Sequence, residues 1–240
     1  MRFCRLLAAI VLSCLAAFGQ GPAAPAAAKP VEAPHAKAGG VDLAVPGPGG
    51  FPEVGDRLRT TVFEVLTPAS NRLLTAYVPA ETLAEFSSGK FGDGMRHYAM
   101  LEVPRQGEYV DCTPEAFTQV QESMEAAMGK FDSKTLGDAT EELNIRLKSL
   151  GSKPLEVGRP EPLGGLFKKT GSSGSSGFAM LLAFKQGERT LTMVTCIGVL
   201  RVKQRVLFAY LYQRYESPQT VQGLGKELEQ WTDALLAGNR

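Results

Sequence analysis

The sequence predicts one α+β domain, a mainly antiparallel sheet packed with helices, and three observations support this prediction. Near the C-terminus, apolar strand-like runs are separated by short polar turns, as in an antiparallel meander. Two stretches, 113–131 and 217–237, carry apolar residues at helical spacing. Residues 51–240 contain no repeat and are numerous enough to bury a core, so we assign them to a single domain.

Residues 1–19 are predicted to form a signal peptide. Arg2 and Arg5 precede an uncharged apolar run, 6–18, and small residues stand at positions 17 and 19, where a signal peptidase reads the chain. The run is shorter than the about 20 apolar residues that span a membrane. We therefore expect cleavage before Gln20, a periplasmic or secreted protein, and no transmembrane span in the mature chain.

A second interpretation of the leader is lipid anchoring. Val11-Leu12-Ser13-Cys14 resembles a bacterial lipoprotein box, which would anchor the chain at Cys14. Ordinary cleavage is favoured, because Leu12 is an unusual residue in such a box and the apolar run continues past Cys14.

Residues 20–50 are predicted to be a flexible tether. They are rich in Ala, Pro and Gly and contain few large apolar residues. Such a composition cannot bury enough surface to offset the entropy lost on ordering. His35 lies in this segment, with no other candidate functional residue beside it.

The first part of the domain is predicted to alternate strands and a short helix. Strand-like residues at 58–66 and 72–78 flank the turn-forming TPASN and predict a hairpin. AETLAEF (80–86) predicts a short helix, SSGKFGDG (87–94) an exposed loop, and HYAMLEVP (97–104) a strand.

Two helices are predicted next. Thr113 and Pro114 suit the cap and the first position of a helix. An apolar stripe follows at helical spacing: Phe117, Val120, Met124, Met128 and Phe131. A second helix is predicted at 139–150. Strands are then predicted at 154–157, 165–169 and 178–184, with GSSGSSG (171–177) as a flexible hairpin tip.

The C-terminal strands and helix have the clearest pattern in the chain. Strands are predicted at 178–184, 190–202 and 205–215, and their two apolar faces predict that both sides of the sheet are covered. A closing helix is predicted from Ser217 to Gly238. Its apolar stripe consists of Val221, Leu224, Leu228, Trp231 and Leu235.

The end of the chain also resembles a known superfamily. VLFAYLYQRYESPQ, followed by a helix containing LEQWTDALL, is similar to the end of PsbP-like and DcrB-like domains, which are small exported or lumenal α/β/α sandwiches. The resemblance extends from about Phe51 and concerns the order of elements. It implies an accessory or binding protein and assigns no functional residue to this chain.

Charge and cysteine content exclude some functions and leave others open. Removal of Arg2 and Arg5 lowers the basic residues from 26 to 24 against 25 acidic ones, a net charge of −1. This balance gives no reason to expect nucleic acid or an anionic membrane as a partner. The mature chain keeps Cys112 and Cys196, which could form a disulfide or be unrelated buried thiols, and we slightly favour the second.

No catalytic motif or cofactor site is recognisable. The chain has two histidines, His35 and His97, so a nucleophilic site would need His97, for instance with Cys112. Separate structural roles for these two residues are the favoured interpretation. The spacings that bind zinc and the glycine-rich loops that bind phosphate are missing, and no metal or cofactor is predicted.

One stretch has the composition of a binding site. Phe208, Tyr210 and Tyr212 share a strand face close to Tyr215, and tyrosine suits pockets and interfaces. A core strand is the favoured interpretation, with Tyr212 and Tyr215 expected to reach solvent and to contact a ligand or partner. The predicted function is an exported, non-enzymatic binding or accessory protein of the cell envelope, with an unknown protein or small molecule as partner. An exported hydrolase with a scattered site is the alternative.

Overall fold

The structure, a computed structural model, describes residues 33–87, 96–128, 130, 133–149, 154–171 and 173–240. Its strands are β1 His35–Ala38, β2 Val41–Ala44, β3 Asn71–Tyr77, β4 His97–Pro104, β5 Glu156–Val157, β6 Glu161–Lys169, β7 Ser175–Gln186, β8 Arg189–Val202 and β9 Arg205–Arg214. Its helices are α1 (the consecutive pieces Asp56–Leu58, Arg59–Phe63 and Glu64–Leu66), α2 Ala80–Ser87, α3 Pro114–Met128, α4 Ser133–Ser149 and α5 Pro218–Ala237; a short 3-10 turn spans Pro48–Gly50.

Seven strands form one curled antiparallel sheet, which confirms the predicted fold class. The strand order is β3-β4-β9-β8-β7-β5, and β6 pairs with β7 on the same side as β5. Strands β7, β8 and β9 form the predicted meander. The turn between β8 and β9 is Lys203-Gln204, and both residues have positive φ, as the twist of a tight hairpin requires.

Each face of the sheet supports a separate core. On one face, α1, α2, α3 and α4 pack against the side chains of alternate sheet residues, among them Met100 and Phe208. On the other face, α5 and the β1–β2 hairpin cover the intervening residues, among them Leu101 and Ala209. Because both faces are buried, the central strands are apolar on both sides, as predicted.

The segment 58–66 was predicted to be a strand, and this prediction is wrong. The β-branched residues Thr60, Thr61 and Val62 gave the segment its strand-like composition, yet it lies in α1. Both threonine hydroxyls donate hydrogen bonds to backbone carbonyls one turn earlier, which suits a helix. Phe63 and Leu66 point into the core at a spacing of three, so packing outweighs local preference here.

The predicted tether is ordered in its second part. Residues 20–32 lie outside the described residues, but 33–50 include the β1–β2 hairpin, so the domain begins before Phe51. Ala38, Leu43 and Val45 are fully buried. Gly39 and Gly40 form the turn with positive φ, and a Cβ on Gly39 would clash with the carbonyl of Glu108. Small side chains thus allow a close fit that composition alone did not reveal.

The other predictions largely agree with the structure. The predicted 80–86 helix and 97–104 strand are α2 and β4, and the predicted 113–131 helix is α3. α4 begins before the predicted 139, and residues 175–177 of the predicted hairpin tip belong to β7. Most of the predicted 87–94 loop, together with Phe131, lies outside the described residues.

The N-terminus of α5 is capped as predicted. Pro218 occupies the first turn, and Oγ1 of Thr220 accepts the backbone N–H of Ser217 at 3.3 Å. The helix ends at Ala237, before Gly238.

Candidate functional site

The structure places Tyr212 in the core. Its side chain is fully buried, and its ring stacks on that of Tyr98 with 4.5 Å between ring centroids. The ring of Tyr210, two residues earlier on β9, also stacks on it, with 6.1 Å between ring centroids. The prediction that Tyr212 reaches solvent is therefore wrong. The aromatic face of β9 belongs to the core that helices α1, α2, α3 and α4 cover.

Tyr215 lies just beyond the end of β9 and is half-buried. Its backbone N–H donates to the carbonyl of Thr192 at 2.9 Å, and its ring packs against the core on the α5 side. Tyr212 belongs to the opposite core, so the structure does not bring the two tyrosines into one surface. A binding role for Tyr215 stays a prediction.

Cys112 and Cys196 are both free and belong to different cores. The sheet separates them, so the alternative in which they form a disulfide does not hold in this fold. Burial raises the pKa of each thiol, that of Cys196 to about 12. Thiolates are the reactive form of cysteine, so neither residue is set up as a nucleophile.

His97 and Cys112 are far apart as well. His97 pairs with Gln213 at one end of β9, whereas the backbone N–H of Cys112 donates to the carbonyl of Gln204 just before the other end. At about 3.3 Å per strand residue the two positions are roughly 30 Å apart. The hypothetical Cys–His pair is not assembled.

His97 instead faces α5 and the segment before α1. Its Nε2 lies 3.2 Å from Oε2 of Glu227, and its ring makes an edge contact with Phe51. His35, in turn, lies 2.8 Å from an exposed carboxylate, that of Asp42. Within the described ranges, no three His, Cys, Asp or Glu side chains are grouped as metal ligands, and no helix is long and apolar enough to cross a membrane.

A buried carboxyl group lies where β4 meets β3. Glu102 is fully buried, and its Oε2 accepts a hydrogen bond from Nδ2 of Asn71 at 2.7 Å. The same amide nitrogen lies 3.5 Å from the hydroxyl of Tyr210. Burial raises the pKa of Glu102 to about 7, against the opposing effects of the hydrogen bond from Asn71, of the nearby Thr67 hydroxyl and of the positive charge of Arg146.

A loop between β4 and α3 exposes two large side chains. Tyr109 and Val110 are 76% and 61% exposed. Glu108, just before them, is buried, pairs with Arg72 and accepts the N–H of Gly39 at 3.2 Å. The bond from Arg72 holds the pKa of Glu108 below its usual value. The loop therefore presents a small protruding apolar tip rather than a concave site.

Among the described residues, a groove of about 650 Å³ lies between β6 and the C-terminal half of α3. The apolar residues that border it are Met128, Pro162, Leu163, Leu166, Phe167 and Phe178. The side chains of Leu166 and Phe167 pack against the core on the α5 side of the sheet. Leu163 is 41% exposed, and Leu166 and Phe167 are half-buried. We call this feature the β6–α3 groove, and it has the size and the apolar lining that are typical of binding sites.

One face of α3 follows β6 along this groove. Nε2 of Gln121 donates to the carbonyl of Lys169, at the C-terminal end of β6, at 3.3 Å. One turn further, Oε1 of Glu125 lies 2.9 Å from Nζ of Lys168. Met128 continues the same helix face towards the middle of β6. The two charges at the rim neutralise each other, so the groove is apolar and nearly neutral.

This groove was not predicted from the sequence. A strand was predicted at 165–169, whereas β6 begins at Glu161 and passes through Pro162 and Gly164. The available signal was the pair of glycines inside an otherwise strand-like run, because glycine within a strand often marks a bulge or the close approach of another molecule.

The fold and the groove together define a single α+β domain with a helix-flanked edge strand. In comparisons, no protein-family model, curated protein or solved structure matches this chain. Its function must therefore be argued from its own residues.

Proposed function

We propose that the chain is an exported, non-enzymatic binding or accessory protein of the cell envelope and that it binds its partner in the β6–α3 groove. The observation that carries this proposal is the groove itself: an open, apolar, nearly neutral depression that lies beside a strand edge. The exposed side chain of Leu163 is in solvent in the free protein, and a partner that covered it would gain hydrophobic stabilisation.

A binding role also fits the placement of the reactive side chains. Burial raises the pKa of both thiols and so suppresses their nucleophilic form, and His97 contacts a carboxylate and a phenyl ring. Catalysis needs an acid, base or nucleophile held within reach of a substrate. The groove lining supplies Glu125 and Lys168, which are already paired with each other.

We expect Leu163→Glu to weaken partner capture by at least about tenfold. A carboxylate in the groove would have to lose water when an apolar partner covers it, and nothing there compensates for that loss. The measurement is capture of envelope partners by the native protein after mild crosslinking. Ile145→Glu is the matched control, because Ile145 is 66% exposed but lies on α4, outside the groove lining.

Two results would contradict the proposal. Equal capture by wild type and Leu163→Glu would show that the partner binds elsewhere, with the Tyr109–Val110 loop as the next candidate. A hydrolytic activity that His97→Ala abolishes would overturn the non-enzymatic assignment.

Export is tested separately, at the N-terminus of the mature protein. We expect mass spectrometry of protein recovered from the envelope to find Gln20 as its first residue, because Arg2, Arg5 and the apolar run at 6–18 have the order of a signal peptide. An acylated Cys14 would indicate lipid anchoring instead. An intact Met1 on cytoplasmic protein would contradict export.

A further inference from the structure

The outer edge of β6 is not paired with another strand among the described residues. β6 pairs with β7 on its inner side only. Val202 and Arg205 flank the two-residue turn between β8 and β9, so their backbone groups bond to each other. Because bonded and non-bonded pairs alternate along β8 and β7, the N–H and C=O of Phe167 and Lys169 face Gly177 and Ser175 of β7. The N–H and C=O of Lys168, between them, face the outer side, where no described residue bonds to them, and they can pair with an added strand.

The backbone of β6 is also unusually accessible beside the groove. Gly164 has a φ of +104°, which only glycine adopts easily, so its identity has a conformational reason. Gly165 has no such requirement, and a Cβ built on it would meet no atom within 4 Å. The missing side chain at Gly165 therefore leaves open space above the strand, where another backbone could approach closely.

The edge admits only a short partner. Register shifts occur between Pro162 and Gly164 and between Gly165 and Phe167, and Pro162 has no N–H to donate. Bulges and prolines protect natural edges from indiscriminate pairing. The regular part of the edge runs from Phe167 to Lys169, the last residue of β6. We therefore expect the edge of β6 to pair with a short strand and not with the edge of another sheet.

We infer that the β6–α3 groove binds a short, extended and uncharged apolar peptide segment, which adds as a strand to the outer edge of β6 and places alternate side chains against α3. This inference rests on the proposed function and names the partner's chemistry. The unpaired backbone specifies a polypeptide. The apolar lining specifies apolar side chains, and the Glu125–Lys168 pair leaves no net charge at the rim to attract a charged segment.

The test uses the full chain and peptides about as long as an ordinary strand. A random peptide library is selected against the protein, and the best binder is synthesised for titration. We expect uncharged, apolar binders, and we expect Gly165→Val to weaken binding at least about tenfold. Valine suits a strand and meets no neighbour at this position, so the fold is retained, as circular dichroism will check. Gly223→Ala on α5, which also enters open space, should leave binding unchanged.

Backbone pairing is tested directly by methylating the peptide nitrogens one at a time. Strand addition predicts that methylation at alternate positions abolishes binding while the intervening positions tolerate it, because only alternate N–H groups face β6. Loss of binding in Leu163→Glu with no effect of Gly165→Val or of methylation would overturn strand addition but leave the groove as the site. Full binding by Leu163→Glu would overturn the proposed function as well.

Two other occupants would also overturn the inference. A concentration-dependent dimer that Gly165→Val dissociates would identify a second copy of this chain as the occupant. Selection of charged peptides, or binding that a long-chain detergent displaces and no peptide reproduces, would identify a different ligand class.

Discussion

Replacement of Trp231 by Ala is expected to destabilise the protein by roughly 3–5 kcal/mol, the range for deleting a large buried aromatic side chain. Trp231 is 2% exposed and lies in the middle of the buried stripe of α5. Its ring makes an edge contact with Tyr77 of β3, with 6.0 Å between ring centroids. The substitution would therefore leave a cavity between the closing helix and the sheet.

The indole N–H adds a second contribution to the same site. Nε1 of Trp231 donates to the carbonyl of Pro46 at 2.6 Å, which ties the segment after the β1–β2 hairpin to α5. Trp231→Phe retains much of the ring volume but leaves this carbonyl without its donor, so we expect a smaller cost of about 1–3 kcal/mol. Denaturant titration of all three proteins measures both effects. A cost below about 1 kcal/mol for the Ala variant would contradict docking through this stripe.

The sequence pattern was sufficient for the C-terminal part of the fold because several independent signals agree there. In β8, β9 and α5, the apolar periodicity, the Lys203-Gln204 turn and the cap before Pro218 all specify the same elements. Where local signals disagreed with packing, the prediction failed. In α1 the composition favours a strand, and only the tertiary burial of Phe63 and Leu66 selects the helix.

The β1–β2 hairpin was hidden for a different reason. Its residues are small, and a composition rich in Ala and Gly is the same in a flexible tether and in a segment that fits closely against a core. The Gly39-Gly40 pair between two short runs is a hairpin signal that could have revealed it.

The candidate site was not predictable from side-chain type. The tyrosines suggested an interface, but β9 lies in the middle of the sheet, where both faces are covered, so Tyr212 is buried. The β6–α3 groove depends on which strand is at the edge and on where a helix runs beside it. Both are properties of the topology, and neither can be derived from the residues of β6 by themselves.

We expect the titration of Glu102 to make the free energy of unfolding depend on pH. Its pKa is about 7 in the folded protein, compared with the ordinary value of 4.5. Between these two values the folded state holds a proton that the unfolded state has released, so the free energy of unfolding decreases as the pH rises. A rise in pKa from 4.5 to about 7 corresponds to about 3 kcal/mol of stability, which is lost as the pH rises across this interval.

We expect Glu102→Gln to remove this contribution, because the amide cannot ionise while its oxygen can still accept the hydrogen bond from Asn71. The free energy of unfolding is measured by denaturant titration from pH 4 to pH 8, and the quantity of interest is the variant minus the wild type at each pH. This difference should rise by about 3 kcal/mol in favour of the variant between the two ends. Any effect of the substitution on stability that does not vary with pH cancels from this change.

Glu108→Gln is the matched control, because the carboxyl of Glu108 is also buried but has a lowered pKa, chiefly from its bond to Arg72. Its contribution has the opposite sign: it is present above the ordinary pKa and is lost as the pH falls through the lowered one. Glu108→Gln should therefore be less stable than wild type at neutral pH, and this difference should vanish at acidic pH. Its free energy of unfolding should still decrease between pH 4.5 and 7, because Glu102 is unchanged. Parallel curves for wild type and Glu102→Gln across this range would show that the Glu102 carboxyl titrates near its ordinary pKa, and hence that water reaches the end of β4.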